Sequence, residues 1–302
     1  MRTRLLIPSN ILVLGNEAAC LGHIRYIFDN FAKEKHQLTD RILSNKDKQN
    51  YSGIEILIGD DVLNCLKDCR EKMENFGTIV YIGLMRDVRD SFLKRCLKPS
   101  ERLLRLWKVV FFLRIWRRWL RDNDRAEKDH FITLNAYVCV EVNAHLLLQI
   151  VTGVICDKLP KDALRVWKTG SQGCEALFRL ARSMTSTFST VVNFSMKGIL
   201  ERMHKLNFLS SMESSDTIAF PRVQKRLLQL GEEGKDTFEL FPHDEIDVIV
   251  NRAKAIAIGM ACKCGMTLSS YEDKDILKDI VYVMNKSSKM TNFVAILGSC
   301  IA

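Results

Sequence analysis

Residues 99–121 read Pro99-Ser100-Glu101-Arg102-Leu103-Leu104-Arg105-Leu106-Trp107-Lys108-Val109-Val110-Phe111-Phe112-Leu113-Arg114-Ile115-Trp116-Arg117-Arg118-Trp119-Leu120-Arg121. The proline, with Ser100 as the predicted N-cap, opens a helix that runs to about Leu120. Its middle, Val109 to Leu113, is apolar around a full turn, which predicts burial on all sides. Towards its end Arg114, Arg117, Arg118 and Arg121 fall within an arc of about 100° on a helical wheel, accompanied by Trp107, Trp116 and Trp119. Two readings of this arc stand. One is an aromatic core with arginine stems running along it. The other is a basic ridge laid against a phosphate backbone.

Outward from this helix the pattern stays helical. Gly22 to His36 carries Ile24, Ile27, Phe28 and Phe31 at helical spacing, with Arg25, Asp29 and Lys33 opposite. Residues 46–58 and 60–73 form two more helices broken near Gly59, with Asp60 and Asp61 at the positive end of the second. Further helices are predicted over 78–94, 133–155, 174–184, 191–208, 244–262 and 271–284. Residues 11–14 are a strand or a helix start, and a faint alternation marks 164–167. The fold class is therefore mainly α, a multi-helix array with little or no sheet of its own. Within 133–155, Glu141 and His145 stand at i,i+4 and are predicted to meet as a buried hydrogen-bonded pair. The apolar run Tyr137 to Ile155 also holds Asn143 and Gln149. Polar groups of this kind are costly in lipid, so the run reads as a core helix and no membrane is expected.

The 302 residues are 47% hydrophobic and 27% charged, which excludes wholesale disorder and supplies a sizeable core. The net charge is +9, and from Arg86 to Arg121 twelve Lys or Arg face three Asp or Glu. Glu232 to Asp247 is acidic, with seven carboxylates and one Lys. Such asymmetry points to an anionic partner for the basic stretch. The ten cysteines are scattered, and no secretory signal precedes them. They read as reduced intracellular thiols rather than disulfides. Walker-type loops, the Gly-x-Ser-x-Gly elbow, His-Glu-x-x-His and the dinucleotide fingerprint are absent from the sequence. Cys262-x-Cys264 and Cys65-x-x-x-Cys69 lack partners at zinc spacing.

The most informative segment is Gln172-Gly173-Cys174-Glu175-Ala176-Leu177-Phe178-Arg179-Leu180-Ala181-Arg182-Ser183. A carboxylate stands in the first turn of a predicted helix after a glycine-containing break, with Arg179 and Arg182 four and seven residues on. The helix dipole favours such a carboxylate, and Arg179 can pair with it. The segment also resembles the last catalytic segment of RNase H-like DNA transposases of the P-element type, and more remotely of the hAT type. The small-polar continuation Ser183-Met184-Thr185-Ser186-Thr187-Phe188-Ser189-Thr190 resembles the linker that follows there. The blocks 46–51, 111–119 and 135–145 resemble transposon-derived proteins with the same core, and Cys20-Leu21-Gly22-His23 resembles the Cys-x-x-His of hAT proteins. The resemblance covers roughly residues 1–212.

The resemblance implies three parts: a helical insertion-like region over 1–160, the final Glu-bearing helices of an RNase H-like core over 161–212, and a helical region of unassigned role over 213–302. It implies that Glu175 is the last carboxylate of an Asp-Asp-Glu set, here vestigial. Met1-Arg2-Thr3-Arg4-Leu5-Leu6 resembles the tail of a basic helix that follows the second catalytic Asp, which places that Asp upstream of Met1. Two-metal phosphoryl transfer needs several convergent carboxylates, so Mg²⁺ is expected at Glu175 only when upstream carboxylates complete the site. The chain alone is expected to be an N-terminally truncated transposase derivative without catalysis or cofactor. DNA is its expected partner, bound non-specifically through Arg114, Arg117, Arg118 and Arg121 first, then Arg179 and Arg182. A nuclear location follows from the resemblance alone, and the family's use of GTP is not carried over because its motif is not visible. The rival reading is a helical interaction scaffold, or a decayed remnant, without a nucleic-acid role. A third reading, with another subunit supplying the missing carboxylates, requires an oligomer.

Overall fold

A computed structural model describes residues 1–44, 50–168, 197, 200 and 239–267 of the chain. The predicted helices over 174–184 and 271–284 lie outside the described residues, as do Glu175, Arg179 and Arg182 and nearly all of 191–208. The chain divides into two compact units, one of Met1–Phe92, Leu97–Leu164 and Phe238–Ala302, the other of Leu93–Cys96 and Arg165–Thr237. The described residues 239–267 of the C-terminal region fall in the first unit. The second unit's described residues include one short 3-10 turn, Val166–Lys168. The helices described below belong almost entirely to the first unit.

A single turn, α1 (Arg2–Leu5), precedes a hairpin of β1 (Leu12–Leu14) and β2 (Glu17–Ala19). The strands pair antiparallel with Leu14 opposite Glu17, leaving the two-residue turn Gly15-Asn16. Gly15 has φ +69°, which suits the first position of a type II′ turn. Then come α2 (Leu21–Asn30), α3 (Lys33–His36), α4 (Asp40–Leu43), α5 (Tyr51–Leu57), α6 (Asp60–Asp68) and α7 (Phe76–Leu93). The long helices α8 (Pro99–Asp122) and α10 (Leu134–Ile155) flank the single turn α9 (Glu127–His130). The last described helix is α11 (Glu245–Lys263). The mainly helical expectation holds, with one two-stranded sheet among the described residues.

Three local expectations are corrected. The helix predicted over 22–36 breaks at Phe31 and Ala32, both extended. The break lets the His36 ring accept the Leu38 N–H at Nδ1 (2.9 Å) and reach the Phe31 carbonyl with Nε2 (3.3 Å). Helix α8 starts before Ser100: Lys98 is its N-cap, Pro99 stands at N1, and the Glu101 carboxylate accepts the Lys98 N–H at 3.4 Å. The alternation over 164–167 forms no strand: Leu164 ends one 3-10 turn, and Val166 and Trp167 open the next.

Helix α8 is the axis of the unit. Leu103, Leu106, Val109, Val110, Phe112, Leu113, Ile115 and Trp116 are all sealed from solvent. Its most extensive neighbour is α11, followed by α10. The face that α11 buries is a stripe of small residues, Ala253, Ala257 and Ala261, each fully buried. A small-residue stripe lets two helix backbones approach closely where larger side chains would hold them apart. From the other side Trp116 donates Nε1–H to the Val13 carbonyl of β1 at 2.6 Å. Tyr81 of α7 meets the same indole edge-on at 6.2 Å, and Phe131 at 4.8 Å.

The three long helices α8, α10 and α11 stop in the same way. Arg125 N–H returns to the Leu120 carbonyl, Lys158 N–H to Gly153 and Met266 N–H to Ala261. The residue before each is left-handed: Asp124 (φ 52°), Asp157 (φ 54°) and Gly265 (φ 79°). This is the Schellman closure, which satisfies carbonyls that the helix end would orphan. The α11 closure docks on the hairpin turn, where Asn16 N–H donates to the Cys264 carbonyl at 2.7 Å. A Cβ on Gly15 would lie 2.1 Å from that carbonyl oxygen. Gly15→Ala is therefore expected to cost about 2 kcal/mol or more in urea unfolding. Gly83→Ala, in the interior of α7 with nothing near its added Cβ, is expected to stabilise by about 0.5–1 kcal/mol. Equal effects of the two substitutions would refute this account of the turn.

Candidate functional site

The arginine arc of α8 is where sequence reasoning placed DNA contact. Arg114 is 8% exposed and Glu141, opposite it on α10, is 2% exposed. Arg114 Nε and Nη2 donate to the two Glu141 oxygens, each at 2.9 Å. This is the bidentate fork that guanidinium and carboxylate geometry favour. The guanidinium also lies 5.8 Å from the Trp107 ring and 5.7 Å from the Phe111 ring. Glu141 thus takes Arg114 as its partner, correcting the expected pairing with His145. The His145 ring instead stands edge-on to Trp107 at 5.1 Å. Burial pushes the His145 pKa below its ordinary value.

Arg117 is 5% exposed, donates to Glu127 of α9 at 2.8 Å and lies over the Tyr137 ring at 5.0 Å. Its Nη1 is buried without a hydrogen-bond partner, so the ring face supplies the remaining favourable contact. Burial, then the nearby Glu141 charge, pushes the Tyr137 phenol above its ordinary range. Arg121 reaches the other Glu127 oxygen at 2.5 Å. Arg118 pairs with Asp122 one turn on at 2.9 Å and keeps 47% of its side chain exposed. Arg114 and Arg117 are therefore turned inside the unit and do not face a phosphate in this arrangement. Arg118 and Arg121 hold the outer edge of the arc.

Five more bases of the stretch, Arg86, Arg89, Arg102, Arg105 and Lys108, are committed to contacts within the unit. Asp90 on α7 is 2% exposed and stands 2.6 Å from Arg89 Nε and 3.6 Å from Arg105. Asp87 takes Lys108 at 2.6 Å and Arg105 at 3.4 Å. Arg86 forks onto Asp60 at 2.6 and 2.9 Å. Arg102, buried, donates to the carbonyls of Ser91 (2.7 Å) and Leu97 (3.1 Å). The local excess of positive charge thus goes largely to holding α7, α8, α9 and α10 together.

A second constellation was legible only as the Cys20-Leu21-Gly22-His23 motif. Cys20 caps the N-terminus of α2, half-buried, at the point where β2 and the start of α7 meet. Thr78 Oγ1 accepts the Cys20 N–H at 3.3 Å and stands 2.6 Å from His23 Nδ1. The His23 side chain holds the Cys20 thiol below its ordinary pKa, helped by the backbone N–H groups of His23 and Gly22 and opposed by burial. Cys264 goes the other way: burial pushes it up to about 12. Among the described residues no group of three or more His, Cys, Asp or Glu could hold a metal ion. Glu175, where the resemblance implies magnesium, lies outside them.

Two predictions follow from these geometries. Arg114→Met or Glu141→Leu alone strands a buried charge and is expected to cost about 3–5 kcal/mol in chemical unfolding. The double variant should recover most of that loss. Single costs within about 0.5 kcal/mol would instead restore the solvent-facing ridge. For Cys20, a lowered thiol pKa means more thiolate at neutral pH, since the anion persists at pH values where an ordinary thiol is protonated. Alkylation by iodoacetamide, mapped by mass spectrometry across pH, should reach half-rate for Cys20 at a pH below the ordinary thiol value of 9.0. His23→Ala should remove the difference. A Cys20 profile centred on the ordinary thiol value of 9.0 would refute it. No family model matches this sequence, and neither a curated protein nor a solved structure matches it.

Proposed function

We propose that this chain is a transposase-derived, DNA-associated helical protein of the P-element type, with no catalysis by this chain alone. The observation that carries the reading is the Gln172–Ser183 segment standing directly after a long helical array. A helical insertion ahead of the final Glu-bearing, RNase H-like helix is the order that the resemblance implies. The mainly helical first unit is consistent with that order. In this reading Glu175 is the last carboxylate of an Asp-Asp-Glu set whose other members the sequence does not carry at matching positions. Magnesium would bind there only in company with those carboxylates. DNA contact falls to Arg118 and Arg121 on α8 and to Arg179 and Arg182 beside Glu175. The reading also places the protein in the nucleus.

A helical interaction scaffold is the second reading, favoured by one observation. Helix α10 buries the face Tyr137, Val140, Glu141, Ala144, Leu147, Val151 and Val154, but leaves Leu134 and Leu146 exposed on its outer side. By length and composition α10 is also apolar enough to cross a membrane, with 33% of its most apolar window buried. The buried Arg114–Glu141 pair against its inner face favours a helix packed on protein.

Fluorescence anisotropy of a labelled duplex against the purified chain separates the two. The DNA reading expects binding at low salt, with log K falling linearly in log salt at a slope set by the phosphates neutralised. Arg118→Glu combined with Arg179→Glu should shallow that slope by about 2. No binding at about 20 mM salt, or binding indifferent to salt, overturns it in favour of the scaffold.

A further inference from the structure

The junction of β2, α2 and α7 holds a nucleophile that neither DNA contact nor the arginine network uses. Cys20 is the N-cap of α2, half-buried, and its thiol is not spent on capping the helix. Two contacts converge on one hydroxyl of α7, Thr78 Oγ1: the Cys20 N–H at 3.3 Å and His23 Nδ1 at 2.6 Å. Thr78 is sealed from solvent, so this anchor is set in the core. Next to it, a Cβ on Gly77 would stand 2.6 Å from the Ala18 carbonyl oxygen, so β2 and α7 touch along their backbones here. The His23 side chain in turn hydrogen-bonds the Cys20 thiol. Sulfur, imidazole and hydroxyl thus form a chain in which the nucleophile meets a base and a third group orients that base.

The buried cysteines are placed differently. Cys65, Cys69 and Cys264 are buried, and burial pushes each thiol up. Thiols in such surroundings stay protonated and inert. Cys20 instead combines partial exposure, an imidazole and the positive end of a helix of ten residues. Partial exposure admits a small reagent. The imidazole matters most for a reagent whose leaving group must be protonated as it departs. Hydrogen peroxide meets both conditions, because it is small and its leaving group is hydroxide. A disulfide reagent releases a thiolate, a weaker base that leaves without such help.

We propose that Cys20 is a reversible oxidation site at which hydrogen peroxide forms the sulfenic acid, with His23 carrying the proton and Thr78 positioning His23. The sulfur attacks one peroxide oxygen while its proton passes to His23. The S–O bond forms and the O–O bond breaks, and the departing hydroxide takes the proton from His23 and leaves as water. One electron pair oxidises the sulfur and reduces the peroxide. A low-molecular-weight thiol then displaces water from the sulfenic acid to give a mixed disulfide, and a second such thiol releases Cys20. The site uses none of the groups that bear on DNA contact, so it stands or falls separately from that reading.

The reduced full chain, treated with hydrogen peroxide and trapped with dimedone, tests the assignment by peptide mass spectrometry. The Cys20 adduct is expected to form at least about tenfold faster than that of free cysteine at the same pH, and dithiothreitol added before dimedone should abolish it. Iodoacetamide supplies the control, since iodide leaves without a proton. His23→Gln should slow the peroxide reaction at least about tenfold more than it slows alkylation. Thr78→Val should act in the same direction, and Thr78→Ser, which keeps the hydroxyl, should retain the rate; the serine variant decides the matter if the valine variant disturbs the circular dichroism spectrum. A Cys20 no faster than free cysteine overturns the proposal. Equal slowing of peroxide and iodoacetamide by His23→Gln also overturns it, because it leaves no proton for His23 to carry. So does a Thr78→Ser variant that folds normally yet loses the rate.

Discussion

The Arg114–Glu141 fork sets the terms for the first unit. It joins its two longest described helices at one register, because a bidentate pair admits one alignment of guanidinium plane and carboxylate. Aromatic rings close around it: Trp107 and Phe111 from α8, Tyr137 from α10, with His145 edge-on to Trp107. In such surroundings each ion loses its hydration, and the attraction between them offsets the loss only while both are present. The pair therefore serves as a specificity device more than as a source of net stability.

Around that pair, positive charge acts as internal mortar. Glu127 bridges Arg117 and Arg121 and so fixes α9 against the end of α8. Asp87 and Asp90 gather Arg89, Arg105 and Lys108 between α7 and α8. A stretch that carries a surplus of nine charges in sequence is thus far less positive as a surface. A count of bases along a chain measures attraction for a polyanion only when the bases face outward, and the burial of Arg114 and Arg117 shows how far the two can differ.

The helical class, the long helix over 99–121 and its fully apolar centre were legible from periodicity, since a run apolar around a full turn has nowhere to go but inside. The arc of four arginines was legible too, but not its direction. A helical wheel ranks positions around one axis and cannot say which neighbour supplies a carboxylate. Glu141 lies 27 residues away and was assigned instead to His145, its i,i+4 neighbour. The hairpin was half visible, as an apolar run at 11–14. Its partner strand Glu17–Ala19 is too short and too alanine-rich to show alternation. The Cys20–His23 spacing was visible as a motif, whereas Thr78, which ties it to α7, is remote in sequence. Glu175 and the two arginines beside it rest on the sequence resemblance.

The alanine stripe of α11 has a consequence for how the protein is made. Helix α8 is complete once residue 122 is synthesised, yet its principal cover begins at residue 245. At about 5–20 residues per second, that interval leaves the face of α8 that α11 covers without its mate for several seconds or more. The hairpin turn waits longer still, since Gly15 and Asn16 close on the carbonyl of Cys264. The nascent chain thus carries an incompletely covered, tryptophan-bearing helix from residue 122 to residue 245, the condition under which chaperone capture competes with aggregation. Final closure of this unit awaits the arrival of its last described helix, and a ribosome stalled ahead of residue 245 would leave a sticky intermediate rather than a smaller folded protein.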